Sequence, residues 1–272
     1  MPQKKWFATL IVLFYFLFFN QKILAQGRGD SSIGGQPVER FIIPYDHIRE
    51  ADVFWQKRIW RVIDVREKLN LPFKYPKEPF VEILRQAAIN GEIKVYENED
   101  FTKQMQPNDV ANIGAGLDSV PDVDTFGNPT GLWKKFNKSF NPEDVKRFRI
   151  KEDWFFDEET STMQVRILGI APIKDIYDDQ GNYRGPQAMF WIYYPDARKY
   201  LVKKYVFNSN NDAMQLTWDD LFEMRVFSSY IYKESNVFDA RIEDFKEGID
   251  RLYESERIKN EIFNFEHDLW SY

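Results

Sequence analysis

Residues 221–236, LFEMRVFSSYIYKESN, gather an arginine, serines, two tyrosines, a lysine and two glutamates among phenylalanines and a methionine. Serine, tyrosine and lysine side by side could form a proton relay of the kind that short-chain dehydrogenases use. That relay needs the tyrosine and the lysine four apart on one helix. Here Lys233 follows Tyr230 by three and Tyr232 by one, and no glycine-rich nucleotide loop follows an N-terminal strand. The residues are right for proton transfer and the spacing is wrong, so the segment predicts no catalytic residue.

Other chemistries fare no better. Histidine occurs only at His47 and His267, with no metal spacing and no HExxH, and cysteine is absent. Thiol catalysis, iron–sulfur clusters and cysteine zinc sites are excluded by type, and neither a Ser-His-Asp set nor a metal centre is expected. Asp122-x-Asp124-x-Phe126-Gly127 begins like a calcium loop. It fails at its fifth position, Phe126, and at its twelfth, Trp133, where a glutamate is needed. Asp175, Asp178, Asp179, Gly181 and Asn182 are what a hairpin turn requires. The 43 acids show no short motif that marks a pair for sugar hydrolysis. Arg28-Gly29-Asp30 spells an adhesion tripeptide, too short to carry a function. The expectation is a protein without catalytic residues, metal or cofactor.

What positions the polar residues is then the question. At 100° per residue, Arg225, Ser229 and Lys233 form one stripe of a helix opened by Thr217-Trp218-Asp219-Asp220, a capping box. Leu221, Phe222, Met224, Val226, Phe227, Tyr230 and Ile231 cover nearly all the rest, as in a helix that is buried or lies in an interface. Residues 51–69 read as a second such helix, with Ala51, Trp55, Ile59, Val62, Ile63 and Leu69 on one face and Asn70 and Pro72 at its end. Aligning Arg58 with Arg225 sets FWQKRIWRVIDVRE over LFEMRVFSSYIYKE. Trp55 then meets Phe222, Trp60 meets Phe227, Arg66 meets Lys233, and Glu67 meets Glu234. Chance likeness and internal duplication both account for this. Either way Arg58, Arg66, Arg225 and Lys233, with Glu67 and Glu234, are candidate buried or interface charges. Trp60 falls on the polar face beside Lys57, Asp64 and Glu67. It and its counterpart Phe227 are the candidate partner contacts.

The remaining elements follow the same logic. Residues 79–90 predict a helix stopped at Gly91, and 93–97 a short strand. Residues 153–156 and 162–173 alternate across the turn DEETS and predict a β-hairpin. Residues 175–185 are a turn, and 188–195 and 203–207 further strands. Asn141-Pro142-Glu143-Asp144 is a helix start. Ile242, Phe245, Ile249, Leu252, Ile258, Ile262 and Phe265 are spaced for a long C-terminal helix or a helix pair. The fold class is α+β, with amphipathic helices on a small antiparallel sheet and a long C-terminal helical segment. The organisation reads as a signal peptide at 1–25, a flexible arm at 26–42, a helical half at 43–103, an irregular loop or linker at 104–141, and an α+β half at 142–272.

The signal assignment rests on two lysines, a 14-residue apolar run from Trp6 to Phe19, and Ala25 before a polar stretch. The run suits a signal core and is short for a membrane span; an uncleaved N-terminal anchor is the alternative. No cysteine follows to take a lipid. Removing 1–25 removes Lys4, Lys5 and Lys22 and no acid, so the net charge goes from −6 to −6 − 3 = −9. An acidic chain is a poor partner for nucleic acid or an anionic membrane. A cysteine-free exported chain must rely on its core, and the 17% aromatic content suits a ring-rich core or a large interface.

Four blocks together are more specific than any of these motifs: KRIWRVIDVREKLNLPFKYP (57–76), EDWFFDEETSTMQVRILGIAPI (152–173), FWIYYPDAR (190–198) and NDAMQLTWDDLFEMRVFSSYIYKESNVFDARI (211–242). They resemble the gliding motility protein GldN family, called PorN in non-gliding relatives, from about Ile43 to about residue 265. The resemblance implies a periplasmic component of the type IX secretion system of Bacteroidetes. It implies partnership with an outer-membrane lipoprotein (GldK or PorK), contact with an inner-membrane-anchored protein (GldM or PorM), and self-association in a ring beneath the outer membrane. It brings no catalytic residues. A stand-alone exported ligand-binding protein is the rival.

Overall fold

The apolar spacing that suggests a helix over residues 51–69 belongs to a strand. The computed structural model describes residues 40–113, 116–123, 129–138, 140–178, 180–208 and 216–269. In it, Val53–Asp64 is the first strand, β1. Trp55, Ile59 and Ile63 lie four apart, and four fits two strand periods as well as it fits one helical turn. Composition decides between them. Val53, Ile59, Val62 and Ile63 are β-branched and Trp55 and Trp60 aromatic, types that suit a pleated surface. Ile59 and Ile63 are buried on one side, Trp60 and Val62 on the other. A strand buried on both faces reads as a continuous apolar run and loses its alternation.

Residues 43–103 are therefore not a helical half. They supply the central strand, a 3-10 turn at Lys68–Lys74, one helix, α1 (Phe80–Ile89), and the short strand β2 (Val95–Tyr96). Gly91, at φ 73°, ends α1 as expected. Residues 104–141 are not irregular either. They hold a short helix, α2 (Pro107–Asn112), and a hairpin of β3 (Gly116–Val123) and β4 (Pro129–Lys138). Among the described strands these two pair only with each other. A two-stranded ribbon satisfies its backbone internally, so little apolar alternation is needed to announce it. Residues 124–128, the heart of the calcium-like stretch, lie outside the described residues, as do the expected signal peptide and residues 26–39.

Asn141 does cap a turn, its side chain accepting from Glu143 N at 3.2 Å. That turn is a single 3-10 one (Pro142–Asp144) leading into a strand. β5 (Val145–Asp157) and β6 (Thr162–Tyr177) form the expected hairpin, with a register shift at Lys151/Glu152. β7 (Tyr183–Ala188) folds back on β6, and β8 (Trp191–Tyr193) runs into α3 (Tyr194–Leu201). β9 (Tyr205–Val206) pairs with β10 (Leu216–Thr217). Then come α4 (Trp218–Glu223), β11 (Tyr230–Glu234), α5 (Ile242–Phe245) and α6 (Asp250–Leu269).

The helix expected over 217–236 thus stops early. Its capping box is real: Thr217 Oγ1 accepts from Asp220 N and Asp220 Oδ2 from Thr217 N. Arg225, at φ 55°, turns the chain out of the helix, and the β-branched and aromatic residues that follow form β11. Arg225, Ser229 and Lys233 share no helical stripe. The two segments aligned above have different structures, one a strand and one helix–turn–strand, so no duplicated unit exists. They meet instead, β11 pairing antiparallel with β1 so that Trp60 lies opposite Lys233.

The sheet has seven strands in the order β11-β1-β5-β6-β8-β2, with β7 also on β6, more than the small sheet expected within an α+β class that holds. One core joins Ile63, Phe148, Ile150, Ile170 and Ile192 of the sheet to α1, α3 and α4. Its hub is aromatic. Phe80 stacks on Trp218 with centroids 4.1 Å apart, and Phe73 sits edge-on to both. A second cluster seats Ile258 and Ile262 of α6 on Ile59 and Ile231. Among the described residues no helix is long and apolar enough to cross a membrane.

Candidate interaction site

Three consecutive charges on β5, Lys151, Glu152 and Asp153, organise the polar residues singled out above. Alternation sends Glu152 to the helical side of the sheet, where its exposure is 0%. An isolated carboxylate there would be costly. Arg225 reaches it from the turn after α4, Nη2 donating to Oε1 at 2.9 Å and Oε2 at 3.1 Å. Trp154 Nε1 donates a further bond at 3.0 Å. The Arg225 guanidinium stands 5.4 Å from the Trp154 ring and 5.3 Å from that of Phe227. Arg61 is buried nearby and donates to Ser229 Oγ at 2.9 Å; burial pulls its guanidinium below the usual range.

The opposite face holds Trp60. Being the strand neighbour of Ile59, it points away from that core and is still covered: its exposure is 6%, not that of a residue on a polar face. Lys233 Nζ lies 4.5 Å from its ring centroid and Lys151 Nζ 5.8 Å. Both lysines are buried along their stems. Lys233 ends on Asp239 at 2.6 Å and Lys151 donates to Glu99 O at 2.8 Å. Phe227 is also buried, in the aromatic hub against Phe222. Neither ring is free to be a partner contact. Both are core.

The remaining candidates bind one another's neighbours. Arg58 grips Asp153 with two bonds, at 2.7 and 2.8 Å. Glu234 pairs with Lys57 at 2.7 Å. Arg66 folds back on Asp64, and this hydrogen bond holds the Asp64 carboxyl below its usual range. Glu67 is half-buried at the N-cap of the 3-10 turn, its carbonyl accepting from Asn70 N. Every candidate cation is thus matched with an acid. Glu152, Asp153 and Asp239, the partners, went unrecognised in the sequence because they lie elsewhere in it. The arrangement locks β1, β5 and β11 together, and its charges are committed to that task. Among the described residues no group of three His, Asp or Glu side chains could hold a metal.

The most exposed large apolar side chains among the described residues lie just beyond β11. The Asn236 side chain makes four bonds within its own loop. Nδ2 donates to Glu234 O and Ala240 O, and Oδ1 accepts from Phe238 N and Ala240 N, at 2.8 to 3.1 Å. Asp239, at φ 52°, is tethered by Lys233. At the tip of this fixed turn Val237 is 96% and Phe238 89% exposed. The turn holds this apolar pair in water on a fixed backbone. The sequence signal for it is small, two apolar residues inside SNVFDA, behind an asparagine able to form the turn.

A family model described as "Gliding motility associated protein GldN" matches residues 48–271. No curated protein matches the chain.

Proposed function

The chain belongs to the gliding motility associated GldN family, and from that premise we propose that it is a non-enzymatic structural subunit of the periplasmic ring complex of the type IX secretion system. In this role it is required for protein secretion across the outer membrane and, in gliding species, for gliding. Its partners are a GldK/PorK-type outer-membrane lipoprotein, a GldM/PorM-type inner-membrane-anchored protein and further copies of itself. Its place is the periplasm, held to the inner face of the outer membrane through the lipoprotein after its signal is removed. The observation that carries this reading is the extent of the family match, which takes in every strand of the seven-stranded sheet. Two features support it. The buried charges are committed to holding strands together, as suits a scaffold. The Val237–Phe238 turn offers an apolar contact on a rigid mount, as suits a subunit with neighbours.

The test is the native mass of the protein drawn from the outer-membrane fraction in mild detergent. The expected result is a megadalton-scale particle that contains a lipoprotein. Replacing both Val237 and Phe238 by aspartate should reduce that particle while leaving the unfolding free energy within about 1 kcal/mol of the parent, about 0.5 kcal/mol for each exposed site. A lone soluble species no heavier than the 32.6 kDa of the full chain would overturn the reading and return the exported ligand-binding protein as its successor.

A further inference from the structure

A pocket of about 220 Å³ opens between β5 and the α5–α6 connection, lined by Arg147, Arg149, Arg251, Tyr230, Tyr232 and Ile173 among others. Most of its charges are already engaged. Arg147 holds Asp175, Arg251 Nε donates to Lys246 O at 3.0 Å, and Glu243 on the rim is taken by Arg241 at 3.1 Å. Arg149 differs. It is half-buried, its guanidinium stands 4.9 Å from the Tyr232 ring centroid, and among the described residues no acceptor or acid pairs with it. Its N–H donors are thus held beside an aromatic ring and are not committed to an acceptor among the described residues. In a chain of net charge −6, three arginines converge on this pocket.

Each of the candidate cations of the preceding site is matched with an acid, whereas Arg149 keeps its donors for the pocket. We propose that the pocket is a binding site for a carboxylate carried on a short aliphatic body, either a free acid or a glutamate side chain of another polypeptide. Arg149 receives the carboxylate with two parallel N–H donors, a geometry that a planar anion fits. Tyr232 fixes the plane of the guanidinium, and Ile173 and Leu252 face the carbon chain.

The site stands independently of ring assembly and is tested on the full chain by titration calorimetry. The probes are glutarate, a short peptide with one central glutamate and blocked ends, the neutral glutaramide, and inorganic phosphate. The expected result is one site for glutarate or the peptide and none for glutaramide. The tighter of the two binders names the source. Arg149→Gln should weaken binding about tenfold to a hundredfold, the scale of a lost charged hydrogen bond. Its melting temperature should change little, because among the described residues only the ring contact with Tyr232 is lost, and Arg149→Lys should restore only part of the affinity. Silence from both carboxylates, tighter binding of phosphate, unchanged affinity in Arg149→Gln, or a melting temperature lowered as by a core substitution in that variant would each overturn the proposal.

Discussion

Glu152 is a carboxylate with no exposed surface, and Arg225 is what makes it tolerable. Removing one member of such a pair leaves a buried charge uncompensated, at about 3–5 kcal/mol. The Arg225 side chain is itself 28% exposed, so Arg225→Met is expected near the lower end, about 3 kcal/mol in urea unfolding. Adding Glu152→Leu should recover most of the loss; a double variant no better than the single one would mean that Arg225 acts through its ring contacts instead. Trp60→Ala should cost about 3–5 kcal/mol, the range for a large core aromatic, and should free the Lys151 and Lys233 heads that now lie over its ring. A Trp60 on the polar face of a helix, as the spacing suggests, would instead give a variant that folds normally and assembles poorly. A folded Trp60→Ala monomer of parental stability would contradict the burial described here. At this scale the sequence made the cations legible by type, because a basic residue inside an apolar run must find an acid. It did not make the acids legible. Arg225 and Glu152 lie 73 residues apart and Arg58 and Asp153 lie 95 apart, so only the fold introduces them.

Between elements, close approach is the deciding quantity. Gly169 of β6 lies under Phe101, and a Cβ there would come within 2.6 Å of the Phe101 ring and 3.3 Å of Ile192 O. Gly169→Ala should lift the 97–104 segment from the sheet, cost about 1–3 kcal/mol as overpacking does, and raise amide exchange at Met105, whose N–H now donates to Val95 O at 2.9 Å. Unchanged exchange would show that Phe101 swings aside freely. Elements whose apolar and polar residues keep one period are readable in the sequence. The β5–β6 hairpin alternates through Met163, Val165 and Ile167, and α1 and the C-terminal helices carry apolar stripes at helical spacing. β1 was misread because both of its faces are buried, and spacing of four satisfies either period. The start of α4 was legible in its capping box. Its end was not, because the left-handed residue that breaks it is Arg225 rather than the glycine that usually marks such a stop.

For the molecule as a whole, buried tyrosines and paired carboxylates set the pH limits. Burial first, and then the Asp219 and Glu223 charges, push the Tyr194 hydroxyl far up; burial, the hydrogen bond to Glu223 and its charge do the same to Tyr45, and burial to Tyr232. A raised value means that the folded state keeps a proton that the unfolded chain gives up near pH 10, so this contribution is complete below about pH 10 and is lost above it. Asp64 is depressed by its hydrogen bond from Arg66 and Glu254 by that from Arg257. Their contribution is present above the ordinary carboxylate range near pH 4 and fades as the pH falls through their lowered values. Urea unfolding from pH 3 to 11 should therefore give a plateau that falls at both ends, with the share of tyrosine ionisation at 295 nm that belongs to the buried Tyr45, Tyr194 and Tyr232 appearing only with unfolding on the alkaline side. Stability that rises above pH 10 would refute the assignment. The position of β1 has one more consequence. It lies between β5 and β11, and Arg61 meets Ser229 across 168 residues of chain. Contacts that distant form slowly, since a long loop must close first. While the chain is being synthesised, its N-terminal strand has no partner on one side until the last quarter has left the ribosome. The order of the strands thus leaves one edge of β1 open until nearly all of the chain is available.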